Sequence, residues 1–356
     1  MTTVTRRHIA DAIAGMSRFK LSHLNTPLED APRLRKAIAA TVPVRAGETL
    51  DSQSPVPRLL VKRDDSTGLA FGGNKGRHFE FATAHILENG YDTVINVNDY
   101  HSNQARFIAA STARAGLKYI LISTEKVDKP LTGNLLLCKL MGAEIHRVPA
   151  EYASQMVDKI VAGLKAEGRK PYVLPREEFG DLMGMFGFVE TGLELEQQLE
   201  EAGVLGPVHF WGLTGRSIAG LRLYAKNRGM PWSATAVMYS PGDVAKFDEV
   251  TVARSQAVAK RLELPHALEA GDVRVLTDYT GPAYGVPFDG VFEAMHMAGK
   301  AESLILDPNY TGKSMAGLIN ELREARIDPN TPIVFIHSGG TPQLFAFAQE
   351  IWDWKA

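Results

Sequence analysis

Beyond about residue 58, the chain alternates between two textures of apolar and polar positions. Short runs dense in β-branched and aromatic residues read as strands: RLLVKRD, TVINV, KYILIS, PYVLP, VHFW, SATAVM and PIVFIH. Between them, segments of helical length with an apolar face lie at 103–115, 188–202, 219–228, 244–262 and 315–326. Several strands are apolar at nearly every position, which fits sheets covered on both faces. Strands alternating with helices predict an α/β fold built on parallel sheets. Roughly the first 55 residues are less regular, with Pro27, Pro32 and Pro43, and are expected to wrap the outside. Glycine clusters punctuate strand ends at 72–73, 212–215, 281–285 and 339–340. Ligands of open α/β sheets bind beyond the carboxyl ends of strands. Four such turns are expected to converge on one cleft, most economically a cleft between two sheets. No repeat or low-complexity segment is visible.

A chain of 356 residues corresponds to two domains at about 150 residues each. With 45% hydrophobic and 22% charged residues it can fill sizeable cores, which excludes general disorder. Thirty-nine Lys and Arg against 41 Asp and Glu leave a net charge of −2. That balance offers no electrostatic footprint for nucleic acid or an anionic membrane, so a small molecule is the expected partner. Cys138, the single cysteine, can form neither an intrachain disulfide nor a cysteine-rich metal site. No uncharged apolar run approaches the ~18 residues of a membrane helix, and the N-terminal MTTVTRRHIADAIAGMSRF lacks an apolar export core. The chain therefore reads as cytoplasmic, and the glycosylation match at Asn309-Tyr310-Thr311 as idle.

The most informative stretch is VKRDDSTGLAFGGNKGRHFE at 61–80. A strand runs into an acidic, glycine-rich loop, and Gly72-Gly73-Asn74 delivers Lys75 to the start of a helix. An ammonium gains nothing from a helix N-terminus, where the dipole favours anions. An amine of lowered pKa can form an imine there. A lysine after a turn is otherwise a solvated surface side chain. Local sequence alone does not separate the two.

Resemblance does. GGNKGRHFE resembles the lysine segment of the pyridoxal-phosphate enzymes that include 1-aminocyclopropane-1-carboxylate deaminase, D-cysteine desulfhydrase and L-cysteate sulfo-lyase. HSNQAR at 101–106, LDPNYTGKSMAGLI at 306–319 and FIHSGGTPQLFAF at 335–347 agree with that family in order and spacing, over roughly residues 55–350. The resemblance implies that Lys75 holds the cofactor aldehyde as a Schiff base and later serves as base. It implies that Asn103 bonds the cofactor phenolate oxygen, while Ser102 and Gln104 face the substrate; Ser102 also suits an N-cap. Thr214, Gly215, Arg216 and Ser217 would cradle the phosphate at a helix N-terminus. The family carries glycine where this chain has Leu213 and Arg216, and Arg216 either adds charge to the phosphate or turns away. Tyr284 and Tyr310 would be active-site phenols, unless each is a half-buried tyrosine bonded to a carbonyl. Ser338 would partner the cofactor ring nitrogen, unless it only satisfies the turn, with Thr311 next in line. Thr311 stands where the cyclopropane-opening deaminases carry glutamate, which moves the expectation toward the sulfur branch.

The implied fold is tryptophan-synthase-β-like, with a larger domain of residues 1–77 and 189–356 and a smaller α/β domain of 78–188. Lys75 would lie near the hinge between them. The expected reaction is loss of a β-substituent from D-cysteine or L-cysteate. Cyclopropane ring-opening deamination and a non-catalytic protein binding pyridoxal phosphate or another phosphate ligand are the alternatives. A homodimer, a small amino-acid substrate and no metal complete the expectation. Glu293 and His296 have the spacing of a di-iron helix but no second copy, so a helix surface is expected. Gly312-Lys313-Ser314 lacks the first glycine of a P-loop, and Cys138 reads as core.

Overall fold

The structure, a computed structural model, describes residues 2–43, 55–124, 131–174 and 178–355. The chain begins with α1 (Arg6–Ala14), β1 (Leu28–Asp30), α2 (Pro32–Ala39) and β2 (Leu59–Lys62). It continues with α3 (Lys75–Glu88), β3 (Thr93–Asn98), α4 (Asn103–Ala115), β4 (Lys118–Ser123), α5 (Gly133–Leu140) and β5 (Glu144–Arg147). Then come α6 (Ala153–Ala166), β6 (Pro171–Leu174), α7 (Glu178–Glu201), β7 (Val208–Leu213), α8 (Arg216–Arg228) and β8 (Trp232–Val237). The last elements are α9 (Val244–Arg261), β9 (Arg274–Leu276), α10 (Asp289–Glu302), α11 (Thr311–Arg323), β10 (Ile333–Ile336) and α12 (Ala348–Asp353). All seven strands read from the sequence are present.

Two sheets result, one of six strands in the order β1-β2-β10-β7-β8-β9 and one of four in the order β5-β4-β3-β6. Every pairing is parallel except β1 with β2. The irregular N-terminal region thus does more than wrap the outside: β1 extends the larger sheet as its antiparallel edge. All four strands of the smaller sheet fall between the residues that build the larger one. The boundary expected at 188–189 lies inside α7, which runs unbroken from Glu178 to Glu201.

Strand alternation places the cores. Leu60, Phe210 and Val334 point to one face of the larger sheet, and Leu59, Trp211 and Ile333 to the other. Val94 and Leu121 of the smaller sheet join the first set in one continuous core, with α3, α4, α7 and α8 between the sheets. The second set packs under α2, α10 and α11, while Ile95 and Ile120 meet Val157 and Leu164 of α6. The two sheets therefore share a helical interlayer, and the carboxyl ends of β2, β3, β7, β8 and β10 open around it.

Candidate active site

Lys75 is the first residue of α3. The loop that delivers it holds positive φ at Gly68, Ala70, Phe71, Gly72 and Gly73. At Gly72 a Cβ would fall 1.7 Å from the Asp65 carbonyl oxygen, so only glycine fits. Thr67 both receives the Gly73 N–H (2.8 Å) and donates to its carbonyl (2.9 Å). The guanidinium of Arg106 donates to the carbonyls of Ala70 and Gly72. Asn74 N–H donates to the Ser338 carbonyl at 3.1 Å, bringing Lys75 beside the end of β10. Burial, then the nearby charges of Arg216 and Arg106, push the Lys75 amine down to about 7. The expected helix start is found.

Behind Lys75, Arg77 is fully buried and donates to Asp64 and Glu194, while buried Lys62 reaches Glu194 at 2.8 Å. This cluster ties α3 to α7 and to the end of β2.

Ser102 caps α4, its hydroxyl accepting the Ala105 N–H at 3.3 Å. The side-chain oxygen of Asn103 accepts from Asn134 (3.0 Å) and Arg106 (3.3 Å), which leaves its amide N–H groups as the free end. Opposite, β7 runs through Thr214 and Gly215 into α8. Gly215 has φ 134°, and open space surrounds its missing Cβ. Asn74 bridges to this loop, donating to Ser217 Oγ at 2.9 Å. The first-turn N–H groups of α8 have no helical acceptor. Arg216 turns its Nε and Nη2 toward Asp181 of α7.

Tyr284 and Tyr310 share a hydroxyl–hydroxyl hydrogen bond of 2.6 Å, and the Tyr239 ring lies 6.0 and 5.2 Å from theirs. Burial pushes both phenols of the pair above their ordinary range, so both are neutral near pH 7. Lys313 holds this corner by donating to the carbonyls of Tyr239, Thr280 and Ala283. Thr311 corrects an expectation. It does not line the cavity; fully buried at the start of α11, its hydroxyl donates to Asp307 Oδ2 and accepts the Asp307 N–H.

One cavity of about 320 Å³ collects Lys75, Ser102, Asn103, Gln104, Thr214, Gly215, Arg216, Ser217, Tyr284, Tyr310 and Ser338. All the expected site residues except Thr311 are there. His78, Asn98, Asp99 and Tyr239 also line it and were not singled out from sequence. Asn98 ends β3, Asp99 follows it, and Tyr239 lies just beyond β8, so the strand-end rule that selected the glycine turns could have found them. A larger groove of about 570 Å³ beside α1, lined by His8, His85 and Arg261, contains none of these strand-end loops.

Cys138 is core, its thiol pushed up to about 12 by burial. Glu293 pairs with Arg323 and His296 stacks on Trp354. Among the described residues no three His, Cys, Asp or Glu are grouped to hold a metal, and no helix is long and apolar enough to cross a membrane.

A neutral amine facing an anion-receptive helix start suits a ligand with a carbonyl at one end and a phosphate at the other. Buried His78, in the same wall, has an Nε2 without a hydrogen-bond partner among the described residues, polar capacity that the protein itself leaves unmet. The residues present therefore fit pyridoxal phosphate. A family model described as pyridoxal-phosphate dependent enzyme matches residues 20–339. The D-cysteine desulfhydrase of Klebsiella pneumoniae is 34% identical, the match covering 93% of this chain and 96% of that one. That of Salmonella paratyphi A shows the same identity and coverage. A crystal structure of an ACC deaminase homologue superposes with a TM-score of 0.81 at 28% identity, covering 97% of this chain and 98% of the other. Processed threonine deaminase isoform 2 of Solanum lycopersicum shares the fold at a TM-score of 0.62 and 16% identity, covering 99% of this chain and 89% of that one. With the lysine, the glycine turns and the helix starts gathered in one cleft, and with matches over nearly its whole length, the chain belongs to the family of pyridoxal-phosphate dependent enzymes.

Proposed function

We propose that this enzyme is a lyase that removes a β-substituent from a small amino acid. D-cysteine, giving pyruvate, sulfide and ammonia, is the first substrate; L-cysteate, giving sulfite in place of sulfide, is the second. The observation that carries the reading is the meeting of Lys75, Ser102, Asn103 and the Tyr284–Tyr310 pair in one small cavity. The identity to D-cysteine desulfhydrases supports it. When bound, pyridoxal phosphate supplies an electron sink for charge developing at the substrate α-carbon.

The chain's own groups do the rest. Lys75 holds the cofactor and, as an amine whose pKa is pushed down to about 7, accepts the α-proton. Asn103, its oxygen already occupied, offers N–H donors to the cofactor ring oxygen. Ser102 and Gln104 orient the substrate carboxylate at the positive end of α4. Tyr284, a neutral phenol hydrogen-bonded to Tyr310, donates a proton to the departing group, balanced by the proton that Lys75 takes from the α-carbon. Residues 214–217 cradle the phosphate. Ser338 is a neutral partner for the ring nitrogen, which holds no charge there and so favours elimination over transamination. The larger sheet and the smaller sheet with their helices form the two lobes, with Lys75, at the start of α3, between them.

Ring-opening deamination of the cyclopropane amino acid is the second reading, favoured by the likeness to the ACC deaminase homologue. Against it, the side chain at position 311 is a threonine committed to Asp307. The protein is further proposed to work as a cytoplasmic homodimer. Leu136 and Leu140 of α5 and nearby Phe345 are 49%, 79% and 65% exposed and give a second copy an apolar face.

The test is product identity. Purified enzyme given D-cysteine or L-cysteate is expected to release pyruvate with sulfide or sulfite, and to form little 2-oxobutyrate from the cyclopropane substrate. Comparable rates on the latter would put deamination first.

A further inference from the structure

Lys313, in the first turn of α11, has no exposed surface, and its ammonium meets main chain alone. It donates to the carbonyls of Tyr239 (3.0 Å), Thr280 and Ala283 (3.4 Å). Among the described residues the charge that acts on it is Asp307. That carboxylate is already taken up by the N–H groups of Asn309, Tyr310 and Thr311 and by the Thr311 hydroxyl. Burial brings the amine down to about 8, so it still carries its proton at pH 7. A buried ammonium without a paired carboxylate is less stable than an apolar side chain in its place. Stability therefore gives no reason for a lysine here, but the position of its acceptors does. Tyr239 supplies one carbonyl itself, Ala283 immediately precedes Tyr284, and Tyr310 is the N-cap of α11. Gly281, at φ 69°, curls the loop that brings the Thr280 and Ala283 carbonyls together; a Cβ there would meet the Val286 carbonyl at 2.5 Å. One charge thus gathers three chain segments where three phenol rings meet.

We propose that Lys313 is the positioning residue of the leaving-group acid, a built-in cation whose carbonyl bonds fix where Tyr284 presents its hydroxyl. This rests on the elimination reading. Lys313 is absent from the cavity wall, so it acts through the backbone it ties together. Without the ammonium, three carbonyl oxygens would face one another unneutralised, and the loop bearing Tyr284 would part from the end of β8. The Tyr284–Tyr310 bond and the Tyr239 ring packed against both would lose their common anchor. The consequence is selective. A departing sulfide is basic and gains from the Tyr284 proton, whereas chloride is a very weak base and leaves without one. Lys313 therefore matters for basic leaving groups and little for chloride.

Lys313→Met, which keeps the apolar stem and removes the donors, tests this in the cofactor-loaded enzyme, with thermal melts to establish that it folds. On D-cysteine kcat is expected to fall by roughly a hundredfold, the share of a general acid, with KM little changed. On β-chloro-D-alanine both constants should stay within about threefold of wild type, because chloride asks for no proton. A second readout needs no turnover. In full-length protein labelled with 3-fluorotyrosine, the fluorine resonances of Tyr239, Tyr284 and Tyr310, assigned by single Tyr→Phe variants, should move in Lys313→Met while those of the remaining tyrosines hold. Equal loss on the two substrates overturns the proposal, since a merely structural lysine would give that. An unchanged kcat on D-cysteine, or three unmoved resonances, overturns it as well. If the wild type eliminates from neither substrate, the elimination reading falls, and the fluorine spectra alone decide whether Lys313 positions the phenols.

Discussion

The amine of Lys75 is reactive because of where it stands. Burial removes the water that would stabilise an ammonium, and Arg216 and Arg106 add like charge, so its pKa falls from 10.5 to about 7. The sign follows directly: below pH 7 the side chain is charged and cannot attack a carbonyl, and above it the amine is free. Capture of pyridoxal phosphate by the apoprotein should therefore quicken about tenfold per pH unit up to about 7 and level off above. A stopped-flow absorbance profile that kept climbing toward pH 10 would mean an unperturbed lysine. At this scale Lys75, Ser102, Asn103, Tyr284, Tyr310 and Ser338 were singled out by the resemblance of short motifs rather than by local pattern, and all six line the cavity. His78 and Asp181 were not singled out. Asp181 meets Arg216 only across the fold, which no local pattern announces; His78 stands three residues after Lys75 on α3, so helix periodicity could have placed it on the same face. Thr311 was misread because its motif puts it next to Tyr310, while the helix start turns its hydroxyl toward Asp307.

Among the elements, α3 must be held rigidly if Lys75 is to keep its place. Arg77 does this from two residues away, with Asp64, Glu194 and Lys62 around it. Arg77→Met would leave buried Asp64 without an ion-pair partner and Glu194 with Lys62 alone, and should cost about 3–5 kcal/mol in urea unfolding. A loss below 1 kcal/mol would show the cluster to be dispensable. The same cluster is sensitive to acid. Burial raises the Glu194 carboxyl, but Arg77 and Lys62 outweigh that and hold it at about 2. Its contribution is present above its ordinary value of 4.5 and is lost as pH falls from there toward 2. Seven strands were legible as apolar runs. β1, β5 and β9 were not, being three or four residues long, partly polar and at sheet edges, where solvent takes one side.

Over the whole molecule, function depends on two parallel sheets whose strand ends open on a shared helical layer. The cleft and its four glycine turns were legible, because strand-end glycines ahead of helices have few other uses. The strand order was not. β10, last in sequence, inserts between β2 and β7, and that pairing spans most of the chain. Such long-range registry joins the Lys75 loop, the Ser338 turn and the α8 start, and so builds the site. The most direct test is borohydride reduction of the purified, cofactor-loaded enzyme followed by peptide mass analysis. The cofactor should be fixed on the peptide containing Lys75 and on no other, with Lys75→Ala both unlabelled and inactive. Label on a different lysine, or turnover surviving in Lys75→Ala, would contradict the assignment of this cleft as the active site.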